Sequence, residues 1–224
     1  MNNKNIFRDS SFRRLILDQI QNQYKHLYKG VVLDIGGRDR GKFLKPKNSV
    51  EKWIFADINS EYNPDIVIDV TDMQSIESNS IDTINAIELF EHVKYIEKAL
   101  KECYRVLKKE GLIIISIPFL YHIHADPYDF QRWTYNKWIF TLNEIGFTIE
   151  KFIIMGKYFT TLSENLRFLI KATEYKSRFL YKILTFLIPF LRFIIKFDSS
   201  SFVRNNKILN NYHNGYFIIA KKLS

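Results

Sequence analysis

The sequence predicts an α/β fold, a doubly wound sheet with helices on both faces. Three observations predict it. After Gly30, short apolar runs alternate with helical stretches, acids and glycines follow the runs, and 46% of the 224 residues are hydrophobic. That is enough for one domain of ordinary size with an appended element, and it excludes a disordered chain.

The elements follow in order. Phe12, Leu15, Ile16, Ile20, Tyr24 and Leu27 recur at roughly helical spacing behind Ser10 and Ser11, so an amphipathic lead-in helix is expected within residues 1–29. Strands are expected at VVLDI (31–35), KWIFADI (52–58), DIVIDV (65–70), IDTINAI (81–87) and LIIISI (112–117). Between the last two lies a helix over 93–107, closed by Gly111. A helix over 135–145 stops at Gly146, and strands follow at TIEKFIIM (148–155) and GYFIIAKK (215–222). About fifty residues separate those two strands, an insertion long enough to be functional or separately structured.

Charge narrows the functional classes. The chain holds 33 Lys and Arg against 24 Asp and Glu, a formal charge of +9. Residues 1–155 carry 21 of each sign, whereas 156–224 carry 12 basic and 3 acidic side chains. A DNA-binding surface spread over the fold is therefore not expected, and RNA is disfavoured, although a basic appendage could meet phosphates of RNA or of lipid headgroups. Cys103 is the single cysteine, which excludes an intramolecular disulfide framework and a cysteine zinc site. With no continuous apolar segment at the start, a cytoplasmic protein is expected.

Ligands of doubly wound sheets sit at the carboxyl ends of the strands. The first strand runs into Asp34-Ile35-Gly36-Gly37-Arg38-Asp39-Arg40-Gly41, where adjacent glycines admit a ligand close to the backbone. A purely structural tight turn is the alternative. The spacing is not G-x-G-x-x-G, which argues against a nicotinamide dinucleotide. Asp57 ends the second strand 23 residues beyond Asp34, the place of an acid that grips ribose hydroxyls. The third strand ends in Asp69-Val70-Thr71-Asp72-Met73, an acid able to accept from an exocyclic amine beside an apolar surface. Asp69 or Asp72 as a helix cap is the competing reading.

The ordered set VVLDIGG, FADI, IDVTDM, SIDTINAIELFEHV, CYRVLKKEGLIIISIPF and terminal GYFIIAKK resembles the sequential motifs of class I S-adenosylmethionine-dependent methyltransferases of type 11. The resemblance covers about 30–155 and the last strand. It implies a Rossmann-like, mostly parallel seven-stranded sheet with an antiparallel last strand, a core of 30–156 and 211–224, and a helical insertion over 157–210. It also implies S-adenosyl-L-methionine as cofactor, with Asp34, Gly36 and Gly37 against the methionine part. Asp57, beside Ile58, would bind the ribose; Asp69 and Val70, helped by Asp72, the adenine; Ile87 and Glu88 would line the methionine side. Arg38 stands where that family usually has glycine, so the loop path near the cofactor's carboxyl group departs from the pattern.

Methyl transfer rests largely on positioning, with a base needed only where the acceptor loses a proton. Candidates cluster at Glu91-His92 and in PFLYHIHADPYDFQRWT (118–134). His124 is the expected base or acceptor-orienting group, with Asp129 as its partner or Arg132 as an anion clamp, and His92 as a further candidate. A lid in which Asp126 caps a turn and Asp129 pairs with Arg132 is the alternative, and His92 as a structural residue is another. No metal is expected, because H-x-x-x-H and cysteine ligands are absent. The H-x-D-P-x-D-x-x-R-x-T pattern resembles a bacterial subset acting in cell-envelope or lipid-linked metabolism.

Within the insertion, residues 178–197 place Arg178, Lys182, Thr185, Pro189, Arg192 and Lys196 on one helical stripe amid Phe, Leu, Ile and Tyr. An interfacial helix on an anionic membrane, or a shallow hairpin broken at Pro189, fits that pattern. Four cations disfavour a membrane span, and so does the return of the chain to one sheet. An oligomer interface or a core helix over the acceptor site is the alternative.

The expectation is a peripheral enzyme at the inner face of the membrane that methylates an oxygen of a small or amphiphilic acceptor, such as a lipid-linked saccharide, a quinone precursor or a lipid. RNA methylation through the basic insertion is one rival; Asn85-Ala86-Ile87-Glu88, unlike N-P-P-Y, weighs against amino-methylation of adenine in nucleic acids. A non-catalytic binding module on the same fold is the other.

Overall fold

The computed structural model of the chain describes residues 11–37, 43–124 and 127–223. Arg38 and Asp126 lie outside them. Helix α1 spans Phe12–Gln23 and is capped by the Ser11 side chain, which accepts from the Arg14 N–H. Then come β1 (Gly30–Ile35), β2 (Val50–Asp57), β3 (Ile66–Val67), β4 (Ile81–Ile87), α2 (Ile96–Val106), β5 (Leu107–Pro118), α3 (Tyr135–Ile145) and β6 (Phe147–Ile154). Five helices follow: α4 (Tyr158–Thr173), α5 (Arg178–Thr185), α6 (Ile188–Ile194), α7 (Ser201–Asn205) and α8 (Lys207–Asn210), before the last strand, β7 (Gly215–Lys222).

The seven strands form one sheet in the order β3-β2-β1-β4-β5-β7-β6. All pairings from β3 through β5 are parallel, and β7 runs antiparallel to both of its neighbours. The expected mostly parallel sheet with an antiparallel last strand is therefore the fold observed. Period-two alternation splits the apolar strands between two cores. Ile113, Ile115, Ile117, Tyr216 and Ile218 pack with Ala99, Leu100 and Trp138 of α2 and α3. Ile114, Phe217 and Ile219 pack on the other face with Leu17 and Ile20 of α1. At roughly 1.5 to 3 kcal/mol for each fully buried large apolar side chain, these faces supply the main driving force for the sheet.

Several boundaries differ from expectation. β3 has only two residues, because beyond Val67 the chain leaves the sheet edge for the Asp69 turn. Gly111 does not close α2. The helix ends at Val106, and residues 108–111 loop out between the paired Leu107 and Leu112, with Glu110 at φ 65°. Gly146 does end α3, in the left-handed conformation at φ 111°. Residues 178–197 form neither one helix nor a break at Pro189. The chain breaks at Phe186 and Leu187, and Pro189 sits in the first turn of α6, where its missing N–H is not needed. Tyr181 and Leu191 are buried with Phe12 of α1 and Ile170 of α4 in a third core. No helix among the described residues is long and apolar enough to cross a membrane.

Candidate active site

A cavity of about 1170 Å³ opens over the carboxyl ends of β1 to β4, at the switch in strand order between β1 and β4. Asp34, Gly36, Gly37, Asp57, Ile58, Asp69, Val70, Ile87, Glu88 and His92 all line it.

Gly36 turns the chain out of β1 at φ 68°, with its N–H donating to Ala56 O at 2.8 Å. A side chain on Gly37 would land inside the Asp34 carboxylate, so this tip admits only bare backbone. Asp34 itself is spent inside the protein. Its Oδ1 accepts from Asn85 Nδ2 at 2.6 Å and its Oδ2 from Trp53 Nε1 at 2.8 Å. Its role is to fix the loop on which the cavity wall rests.

Asp57 is buried at the tip of β2; its Oδ1 accepts from the Asn59 N–H at 2.9 Å. Asp69 lines the cavity and also closes a local turn, with Oδ1 accepting from both the N–H and the hydroxyl of Thr71 at 2.8 and 2.9 Å; no helix follows, so it is not the helix cap of the competing reading. Asp72 is not among the cavity residues. It is exposed, and its N–H closes the same turn onto Asp69 O at 2.9 Å.

Glu88 occupies the left-handed region at φ 55°, a strain held by three anchors. Its N–H donates to Ser116 O at 2.8 Å, Ser116 Oγ donates to its Oε1 at 2.6 Å, and Arg13 of α1 pairs with its Oε2. Burial alone would raise the Glu88 pKa; the Arg13 charge and these bonds outweigh it and hold the carboxyl below its ordinary value. Its carboxylate therefore anchors α1 over the cavity and is not free for a cofactor's ammonium group.

Glu91 and His92 lie in a 3₁₀ turn, Phe90–His92, that precedes α2 and does not belong to it. Glu91 is fully buried and neither carboxylate oxygen accepts a hydrogen bond. Burial, reinforced by the nearby Glu88 charge, pushes its pKa up to about 8. His124 stands against this turn with its ring edge-on to His92, centroids 5.3 Å apart. Asp129 receives the His124 N–H at 3.0 Å and grips both terminal nitrogens of Arg132. Arg132 thus braces the loop, with both terminal nitrogens on Asp129 as in the alternative lid reading. Burial lowers the His124 pKa, which favours the neutral ring.

Sequence reasoning missed the residues that tie α1 to Glu88 and to α4. Arg13 is buried against Glu88, with its guanidinium 4.6 Å over the Tyr121 ring, and its N–H donates to Glu164 Oε1 at 2.9 Å. Glu164 in turn holds Arg167 at 2.9 Å. The available signal was Arg13 itself, a cation one turn before Leu17 on the buried side of an amphipathic helix.

Residues 49–115, from β2 into β5, match the family model of a methyltransferase domain. No curated protein matches the sequence. Among solved structures, the chain resembles an S-adenosylmethionine-dependent methyltransferase from Archaeoglobus fulgidus, with a TM-score of 0.56 at 19% identity over 96% of each chain. An S-adenosylmethionine-dependent methyltransferase from Methanosarcina mazei aligns with a TM-score of 0.52 at 16% identity, over 90% of this chain and 97% of that one. Phosphoethanolamine N-methyltransferase 2 from Haemonchus contortus, solved with S-adenosyl-L-methionine, gives 0.53 at 16% identity over 93% of this chain and 52% of that one. Part of the chain thus matches a methyltransferase-domain model, and the chain as a whole shares the fold of these structures.

Proposed function

We propose that this methyltransferase uses S-adenosyl-L-methionine to methylate an oxygen of an amphiphilic acceptor at an anionic membrane surface. The observation that carries the acceptor class is the insertion: Phe179, Phe186, Phe190 and Phe193 are 55 to 85% exposed among the exposed Arg178, Lys182, Arg192 and Lys196. Such a surface suits apolar chains below charged headgroups.

The cavity's donor set fits the cofactor. Asp57 keeps one oxygen on Asn59 and has the other for a ribose diol, Ile58 and Val70 offer apolar surface to a base, and the Gly36-Gly37 tip leaves room beside the backbone. The bound cofactor supplies a sulfonium-activated methyl group. The chain's part is to orient and to exclude water. Asp34 and Glu88 hold the two strand tips, α1 closes one wall through Arg13, and the loop braced by Asp129 and Arg132 sets His124 beside His92 where an acceptor hydroxyl is handled.

Two titrations test the reading. Calorimetry is expected to show one S-adenosyl-L-methionine bound per chain, and sedimentation is expected to show association with anionic vesicles but not with neutral ones. Folded protein that binds no cofactor at millimolar concentration overturns the enzyme, and indifference to vesicle charge overturns the membrane-surface acceptor.

A further inference from the structure

We infer that Glu91, His92 and His124 form a binding site for a divalent transition-metal ion, with zinc as the first candidate. Two of the donors come from the turn after β4 and the third from the loop after β5, and one ligand atom of each lies within 4.8 Å of the others. Both imidazoles turn Nε2 toward Glu91 Oε1, at 3.8 Å from His92 and 4.0 Å from His124. These gaps are too long for hydrogen bonds. They suit ligands of one shared ion, since two donors each about 2.1 Å from a metal lie roughly 3 to 4 Å apart.

Two further features agree. Both Glu91 oxygens are buried without a hydrogen-bond partner, and a polar group taken out of water requires one. The second nitrogen of each ring meets an oxygen. His92 Nδ1 is 2.5 Å from Tyr128 O, and His124 Nδ1 is 3.3 Å from His122 O and 3.4 Å from Asp129 Oδ2. A proton on each Nδ1 satisfies these acceptors and leaves the Nε2 lone pairs directed at Glu91, the orientation of metal-ligating histidines.

Two imidazoles and one carboxylate leave coordination positions open, the composition of a catalytic site. His92 also lines the large cavity, so the ligand class for an open position is an oxygen donor on the methyl acceptor, hydroxyl or carboxylate. In that arrangement the ion orients the acceptor oxygen, the part expected of His124 as a base.

The test uses tag-free full-length protein stripped with a chelator and titrated calorimetrically with Zn²⁺ alone and with Mn²⁺ alone. One ion per chain is expected, with a raised unfolding temperature. His124→Ala is expected to weaken binding by more than about tenfold, and His26→Ala to leave it unchanged. Glu91→Gln is expected to abolish binding while unfolding no lower than the metal-free parent, because a neutral amide replaces an unpartnered carboxyl. His124 is partly exposed, so its variant keeps the test decisive where Glu91→Gln fails to fold. No binding of either ion, or binding that survives His124→Ala, overturns the site. S-adenosyl-L-methionine binding to the same samples reports separately on the proposed function.

Discussion

Glu88 and Asp57 show how two acids at strand tips on either side of β1 come to do different work. Asp57 spends one oxygen on a local N–H, whereas Glu88 spends both on Ser116 and Arg13 while holding a left-handed backbone. Asp57→Ala is therefore expected to weaken S-adenosyl-L-methionine binding by tenfold or more, with little change in unfolding temperature, as read by calorimetry and thermal denaturation. Glu88→Gln is expected to lose about 3 kcal/mol or more of stability at pH 7, because it leaves the Arg13 charge buried and unpaired. The pH dependence follows from the lowered Glu88 pKa. Its contribution is fully present above the ordinary carboxyl value of 4.5 and is lost as pH falls through the lower folded value. The stability gap between the parent and Glu88→Gln should hold constant from pH 8 to 5 and narrow in acid; a gap constant down to pH 3 contradicts the pairing.

At the scale of elements, α4 depends on a cap supplied from elsewhere in the chain. Its own N-cap, Lys157, makes no side-chain cap bond. Asp198, in the 3₁₀ turn after α6, instead accepts from the N–H groups of Lys157, Phe159 and Thr160 at 2.7, 2.8 and 3.0 Å and from the Thr160 hydroxyl at 2.7 Å. A carboxylate there satisfies the free amides of the first turn and the positive end of the helix dipole. Asp198→Ala is expected to cost about 2 to 4 kcal/mol in urea unfolding, and Asp198→Asn less, since an amide oxygen still accepts. Equal losses for both variants contradict a capping role. No local pattern around Lys157 reveals this cap, because its acceptor lies some forty residues downstream. Helix α3 is the opposite case: Thr134 and Gly146 mark its two ends within its own segment.

For the whole molecule, the charge excess of +9 coincides with the stretch that holds the exposed phenylalanines, while the preceding 155 residues are balanced. Phe186→Ser combined with Phe190→Ser is expected to reduce binding to anionic vesicles at least tenfold without loss of fold, because both side chains are more than half exposed. Unchanged sedimentation contradicts membrane docking through this surface. The sheet was legible because Leu112 to Ile115 and Tyr216 to Ala220 are apolar on both faces, a pattern that only a covered strand accounts for. Asp34, Gly36, Gly37, Asp57 and Asp69 were legible because strand ends converge in this topology, so position along the chain already implies position around the cavity. The free or occupied state of each acid was not legible. Trp53 and Asn85 on Asp34, Arg13 on Glu88 and Asp129 on Arg132 are partners set by packing between distant segments. The same holds for Glu91, His92 and His124, which no single-segment spacing connects. Sequence by itself determined the fold, the strand-end loops and the place of the basic surface, since hydrophobic period and turn chemistry are local. Only the tertiary structure decided which carboxylates remain available for ligands, because that depends on which buried charges the chain brings within bonding distance of one another.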